Sequence, residues 1–141
     1  MTYLLDTCII SKLRKKTPAN KSLLEWFSSH NDSSYYLSSL TIGEIEFGIT
    51  KMQSDLKKKT LIQAWFLGEV IPIFNRRILP IDSPIASLWG KITGDAALRG
   101  VTLPIIDSLI AATAIYHNMI LVTDNARDFI HTGVKILNPI N

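Results

Sequence analysis

The stretch Tyr3–Leu13, with the sequence YLLDTCIISKL, decides the fold. Its leading apolar residues stop abruptly at Asp6, a pattern typical of a short strand buried in a parallel sheet. From Cys8 to Arg14 the apolar residues then recur at the spacing of a helix. A strand that leads directly into a helix predicts the repeating unit of an α/β protein.

The same alternation continues along the rest of the chain. Further strands are predicted at Tyr35–Ser38, Ile78–Ile81 and Ile120–Val122, with Ile136–Leu137 as a candidate fifth. Helices are predicted at Ala19–Phe27, from Thr41, after Asp55 with Leu61 facing inward, from Asp82, and from Pro104 to Asn118. These elements predict one α/β domain over residues 1–141, with a short, mostly parallel sheet of four or five strands between layers of helices.

Composition excludes several classes of protein. The chain has 141 residues, 47% of them hydrophobic, which suffices for a core without disulfides. Its single cysteine, Cys8, excludes a disulfide framework and any zinc site that needs two cysteines. No signal peptide or membrane span is recognisable, so we expect a soluble cytoplasmic protein. The net charge of +3 permits a nucleic-acid partner without requiring one.

Four acidic residues fall where the chemistry of an α/β sheet gathers, at the carboxyl ends of strands and the starts of helices. In chain order they are Asp6 after the first strand, Glu44 in the helix from Thr41, Asp107 in the first turn of the helix from Pro104, and Asp124 after the fourth strand. Each also has a local explanation. Thr41 and Glu44 match a capping box, and the three aspartates suit helix caps or first turns, with Asp124 and Asn125 before a short helix through Phe129.

Together, the four carboxylates favour a bound cation. Carboxylates crowded on one rim repel each other unless something positive is bound. Oxygen ligands without a His or Cys cluster suit Mg²⁺ or Mn²⁺. Such an ion activates a water and offsets charge on a phosphodiester, which predicts a phosphodiester hydrolase. Thr123 and Ser11 are candidates to hold a metal-bound water or a ligating carboxylate in place.

Four sequence blocks carry a resemblance to a known family. They are LLDTCIIS at residues 4–11, SLTIGEIEFGI at 39–49, LPIIDSLIAATA at 103–114 and LVTDNARDF at 121–129. In this order and spacing they resemble the PIN-domain family, and within it the VapC-type toxins of bacterial toxin–antitoxin pairs. The resemblance spans almost the whole chain and implies a PIN-like α/β/α sandwich.

The resemblance implies a Mg²⁺- or Mn²⁺-dependent endoribonuclease that hydrolyses RNA. The implied catalytic acids are Asp6, Glu44, Asp107 and Asp124, of which Asp6 and Asp107 bind the metal most directly. The residues expected to support them are Thr7, Ser11, Thr123, Asn125 and Asp128. The resemblance also implies a homodimer and a small VapB-like antitoxin that blocks the site, in a heterotetramer or larger assembly.

Two departures from the family pattern leave the fourth acid open. Cys8 stands where the family often has Asn. The final motif, usually Thr-x-Asp or Thr-x-Asn, here has Asn125 in third place with Asp124 between. The fourth position is therefore Asp124, Asp128 or the neutral Asn125. An alternative function is that of a catalytically weak or inactive relative that only binds RNA or protein.

Two further groups of residues each have two interpretations. The basic residues after the first helix either grip phosphates or form a solvated face; they are Lys12, Arg14, Lys15 and Lys16. A group of apolar residues either forms a groove for an antitoxin helix or, more simply, packs in the core; they are Leu23, Trp26, Phe27 and Phe47. A nucleophilic role for Cys8 is not expected because it has no evident partner histidine.

Overall fold

A parallel sheet of five strands forms the centre of the fold, in a computed structural model that describes residues 1–140. Its strands are β1 (Tyr3–Leu5), β2 (Tyr35–Ser38), β3 (Ile78–Leu79), β4 (Ile120–Val122) and β5 (Ile136–Leu137). They lie in the order β3-β2-β1-β4-β5, and Tyr3 pairs with Tyr35 on one side and Ile120 on the other. The predicted α/β class, with a short parallel sheet flanked by helices, is confirmed.

Seven α-helices connect the strands. They are α1 (Thr7–Leu13), α2 (Lys21–Ser28), α3 (Ser39–Thr50), α4 (Leu56–Trp65), α5 (Ile71–Phe74), α6 (Ser83–Leu98) and α7 (Ile105–Tyr116). A π-helical segment, Phe66–Val70, joins α4 to α5 without a break, and short 3₁₀ turns occupy Pro18–Asn20, Asp32–Ser34 and Ala126–Phe129. Among residues 1–140, none of the helices has the length and hydropathy needed to cross a bilayer.

Two hydrophobic cores cover the two faces of the sheet, because successive strand residues point in opposite directions. On one face, Leu5 and Leu37 pack with α1, α2, α3 and the π-helical segment. On the other face, Leu4 and Leu121 pack with α7 and with Phe129 of the last 3₁₀ turn. With both faces covered, the carboxyl ends of the strands remain the place where polar side chains can meet.

The start of α3 differs from the prediction. Ser38, the last residue of β2, is the N-cap, and its hydroxyl accepts a hydrogen bond of 3.1 Å from the backbone N–H of Leu40. The predicted capping box of Thr41 and Glu44 is therefore wrong: Thr41 is a fully buried residue of the first turn, and Glu44 belongs to the second turn. The strand ends on a residue that can itself cap, so the helix begins earlier.

Two more local predictions resolve in opposite ways. The helix predicted from Asp82 is α6, and Asp82 is its N-cap, accepting a hydrogen bond of 3.3 Å from the backbone N–H of Ile85. Leu61, predicted to face inward, is 62% exposed. Leu61 is in α4, whose inward side runs through Ile62 and continues to Phe66 of the π-helical segment. A residue one position before Ile62 points about 100° away from that side of the helix.

Candidate active site

Asp6 is the most deeply buried acid of the candidate site. It ends β1 and caps α1, so its Oδ1 accepts a hydrogen bond of 2.9 Å from the backbone N–H of Thr7. Its Oδ2 accepts a hydrogen bond of 2.8 Å from the hydroxyl of Thr123 and a weak one, of 3.5 Å, from the Cys8 thiol. Only 6% of the residue is exposed, and burial raises the pKa of its carboxyl despite these three donors.

Glu44 joins Asp6 through Thr7. The hydroxyl of Thr7 donates to Glu44 Oε1 at 2.6 Å and lies 3.0 Å from the hydroxyl oxygen of Thr41. Because Thr7 is the first residue of α1 and Glu44 is in α3, this contact fixes the two helices at the end of the sheet. Thr7 therefore contacts Glu44 directly, and its supporting role stays a prediction.

Asp107 is the acid on which the other carboxylates converge. It lies in the first turn of α7 and is half-buried. Burial first, and then the negative charges of Asp6, Asp128 and Glu44 in that order, together raise the pKa of its carboxyl to about 6. Acids from four separate parts of the chain therefore act on one another.

Asp124 has a different environment. Its Oδ2 forms an ion pair with Lys12 Nζ, while its Oδ1 is buried and has no hydrogen-bond partner among residues 1–140. Burial by itself raises the pKa of this carboxyl, but the neighbouring Cys8 thiol, the hydrogen bond from Lys12 and the Lys12 charge outweigh it and hold the pKa below its ordinary value. The expected cap on the turn Ala126–Phe129 is absent, since neither Asp124 nor Asn125 caps that described turn with its side chain.

The predicted supporting residues behave unequally. Thr123 is fully buried and holds the Asp6 carboxylate, which is the contact that the sequence suggested. The backbone N–H of Asn125 donates to the Thr123 hydroxyl at 3.0 Å, so Asn125 supports the site through its main chain. Asp128 is exposed on its 3₁₀ turn, and Ser11 is exposed and makes no side-chain hydrogen bond within the described chain.

The donor chemistry of this cluster fits a hard divalent cation. Asp6, Glu44 and Asp107 offer carboxylate oxygens, which are ligands of hard cations. The charges that shift the pKa of Asp107 are all negative, and no lysine or arginine is among them. Across residues 1–140, however, no three His, Cys, Asp or Glu side chains are close enough as they stand to enclose an ion. A bound metal would therefore have to draw these carboxylates together.

Comparison with known proteins identifies the family. The sequence pattern of the family described as "PIN domain" matches residues 3–135. The chain belongs to the PIN-domain family. The resemblance of the four sequence blocks is thus confirmed, and the acids described above lie within the matched part of the chain.

Similar proteins match this PIN domain over nearly its whole length. It is 33% identical to the VapC ribonuclease Y4jK of Sinorhizobium fredii, with 96% of this chain and 95% of that protein aligned. It is 32% identical to the Toxin FitB of Neisseria gonorrhoeae, with 96% of each covered. The crystal structure of FitAcB from Neisseria gonorrhoeae superposes with a TM-score of 0.89 at 31% identity, covering 98% of each chain.

A basic groove of about 460 Å³ opens beside the acids of the PIN domain. Its lining includes Thr7 and Glu44 of the acid cluster, the basic residues Lys12, Arg14 and Lys15, and Trp65. The guanidinium of Arg14 is 6.0 Å from the centre of the Trp65 ring, within the range of a cation–π contact. Three of the four basic residues singled out in the sequence thus share one groove.

A second groove, of about 560 Å³ and with a mostly apolar lining, includes other residues of α1. It is lined by residues of α1, α2 and the α4–α5 segment, among them Leu13, Phe27 and Phe74, and Lys16 is at its edge. The four apolar residues considered for an antitoxin groove therefore separate. Leu23 is fully buried, Trp26 and Phe27 pack partly against the core, and Phe47 is 66% exposed on α3 beside Ile106.

The Lys12–Asp124 ion pair is the feature of the site that sequence reasoning missed. The two residues are 112 positions apart, and opposite charges at such a separation carry no pairing signal in a single sequence. The position of Asp124 two residues after β4 indicated a place at the same edge of the sheet as Asp6, but it gave no indication of its partner.

Proposed function

We propose that this chain, as a single PIN domain over residues 1–141, is a Mg²⁺- or Mn²⁺-dependent endoribonuclease and the toxin of a VapBC-type pair. Support comes from relatives named VapC ribonuclease and Toxin FitB, each aligned over 96% of the chain. The observation that carries the proposal is the convergence of the Asp6, Glu44 and Asp128 charges on Asp107. A protein tolerates such repulsion where a cation relieves it.

In this proposal Asp6, Glu44 and Asp107 hold the metal ion. Thr123 and the Thr7 backbone N–H orient the Asp6 carboxylate, and the Thr7 hydroxyl orients Glu44. When bound, the ion lowers the pKa of a water and offsets negative charge on the phosphodiester. Overall hydrolysis would add one water across the phosphodiester: the P–O bond to one ribose breaks, the hydroxyl of the water stays on phosphorus, and its proton ends on the released ribose oxygen.

The basic groove is the surface proposed for the RNA backbone. Arg14 and Lys15 line the same groove as Glu44, where their charges can neutralise phosphates of a bound RNA. The RNA substrate places the activity in the cytoplasm. Binding there should weaken as salt is raised, because phosphate contacts release condensed counterions.

The partners proposed for the chain are a second copy of itself and a small VapB-like antitoxin. Antitoxin binding accounts for the apolar groove between α1, α2 and the α4–α5 segment, which is large enough for several side chains of a partner helix. Two toxins and two antitoxins would give a heterotetramer or a larger assembly.

The proposal is tested by RNA cleavage with the purified chain. Wild type should cut RNA with Mg²⁺ or Mn²⁺ and not with EDTA, whereas Asp6→Asn and Asp107→Asn should be inactive under both conditions. Asp95→Asn is the matched control, because Asp95 is an exposed aspartate on α6 and away from the cluster. Equal cleavage by all four proteins, or by wild type in EDTA, would contradict the proposal.

One observation favours a second candidate, a PIN domain that binds RNA or protein without cutting. The described carboxylates do not enclose a metal position in their present arrangement. This candidate predicts that wild type retards RNA in a gel and is displaced by salt, with no cleavage product at any metal concentration.

A further inference from the structure

The ion pair between Lys12 and Asp124 joins two segments that both lead away from Asp6. Lys12 is in the last turn of α1, the helix that Asp6 caps. Asp124 directly follows Thr123, whose hydroxyl donates to Asp6. The ion pair and the Thr123–Asp6 hydrogen bond therefore attach α1 to the residues after β4 at two points, and both points constrain the Asp6 carboxylate.

Asp124 depends on Lys12 for its charge balance. Its side chain is only 17% exposed, against 40% for Lys12, and its second oxygen is buried with no hydrogen bond from any residue in 1–140. A divalent cation recruited to Asp124 would come to lie beside the Lys12 ammonium, and neighbouring cations in a poorly solvated site repel strongly. Metal binding at Asp124 therefore competes with a counter-ion that the chain already supplies.

We propose that Asp124 is not a metal ligand, and that with Lys12 it forms a positioning pair that holds Thr123, and through it Asp6, in place. Within residues 1–140, Asp6 has no counter-ion of this kind, because the three donors that hold it are neutral. The inference rests on the proposed function only for the metal at Asp6, whereas the positioning pair exists without it.

Thermal unfolding in EDTA tests the pair without any metal. Lys12→Met and Asp124→Asn should each lower Tm, with Lys12→Met costing about 5 °C because it leaves Asp124 charged and mostly buried. The charge swap, Lys12→Asp combined with Asp124→Lys, should recover most of that loss. Lys15→Met is the matched control, an exposed lysine in the following turn, and should leave Tm within about 1 °C. A Lys12→Met variant that unfolds with wild type would overturn the proposal.

Calorimetric titration with MnCl₂ then separates positioning from ligation. A positioning role predicts that Asp124→Asn weakens Mn²⁺ binding about tenfold, that the charge swap returns it to within about threefold of wild type, and that Asp107→Asn abolishes it. If Asp124→Asn and the swap both lose Mn²⁺ as completely as Asp107→Asn, then Asp124 is a ligand and the inference is wrong. A wild type that binds no Mn²⁺ would instead contradict the proposed function, and the unfolding experiment would still decide whether the pair exists.

Discussion

Asp6 and Asp124 follow neighbouring parallel strands, yet their surroundings are opposite. Asp6 is held by neutral donors, and burial keeps the pKa of its carboxyl raised. Asp124 is held by the ammonium of Lys12, and the pKa of its carboxyl is lowered. Both carboxylates lie near the same helix, α1, and the Cys8 thiol lowers the pKa of each.

The difference shows that two acids at equivalent places in the sheet can have different roles, because their neighbouring side chains differ. A carboxylate whose neighbours are neutral donors and other acids has negative charge left over, and an arriving cation is stabilised by it. A carboxylate that forms an ion pair with a lysine has no excess negative charge to stabilise a cation. The carboxyl end of the sheet therefore divides into a half that is ready for a cation and a half that is already neutralised.

RNA cleavage should show the largest contrast between these halves. Asp6→Asn removes a proposed metal ligand without changing its shape, and we expect cleavage to fall by about 10³. Asp124→Asn changes only the positioning pair, and we expect a fall of about tenfold. Initial rates on a labelled RNA at saturating Mg²⁺ measure both, and losses of similar size would erase the distinction between the two acids.

Thr123→Val should show how far Asp6 depends on its neutral donors. The substitution keeps the volume of a fully buried side chain but removes a donor to a carboxylate and an acceptor for the Asn125 N–H. We expect a loss of about 2 kcal/mol in the free energy of unfolding by urea. The matched control is Thr113→Val, which is equally buried but donates only to the Leu109 carbonyl within its own helix. Equal losses in the two variants would mean that the charge of Asp6 adds nothing to its bond with Thr123.

Much of the acid half could be predicted because its signals are local. The run Tyr3–Leu5 ends at Asp6, and parallel strands place such residues on a common edge. Thr123 follows β4 directly, so its position beside Asp6 follows from the pairing of Leu5 with Val122. The apolar run predicts that Asp6 lies at a strand end, whereas the pairing of β1 with β4 that brings Thr123 to it is known only from the structure.

The N-cap of α3 and the Lys12–Asp124 ion pair could not be predicted, because several residues suit the first position and the second contact is long-range. Ser38 and Thr41 are both good N-caps, and only the end of β2 selects Ser38. Lys12 has several acids within possible reach of its flexible side chain, and tertiary structure alone selects Asp124. Sequence therefore predicts where acids gather better than it predicts which of them is already neutralised.

The pH dependence of stability should differ in sign between the two halves. The pKa of Asp107 rises from 3.8 to about 6 on folding, so its stabilising effect is complete below about pH 4 and is lost as pH rises through about 6. In EDTA, we expect Asp107→Asn to be more stable than wild type at pH 7 by about 1 kcal/mol, discounted for partial solvation, and nearly equal to it at pH 4.

Asp124 gives the opposite sign. Its lowered pKa contributes stability at neutral pH that is lost as pH falls below its ordinary value of 3.8. Urea unfolding of wild type and both Asn variants at a series of pH values measures the two slopes. A constant difference between Asp107→Asn and wild type across that range would mean that the acids around Asp107 do not interact in the folded protein.

Cys8 should have the smallest effect on activity, and it tests the neutrality of the donors around Asp6. Burial first, and then the Asp6 charge, raise the pKa of the Cys8 thiol to about 12, so the thiolate is nearly absent at pH 8. We expect native protein to react with iodoacetamide about a hundredfold more slowly than urea-unfolded protein. We expect Cys8→Ser to cut RNA at a rate within about twofold of wild type, because the serine hydroxyl, like the thiol, offers Asp6 a neutral donor. Rapid alkylation of the native protein would place a second anion beside Asp6. The charge of the Cys8 thiolate would then contribute to the raised pKa of Asp6. Cys8→Ser would remove that thiolate, and with it part of the negative charge that attracts the metal ion.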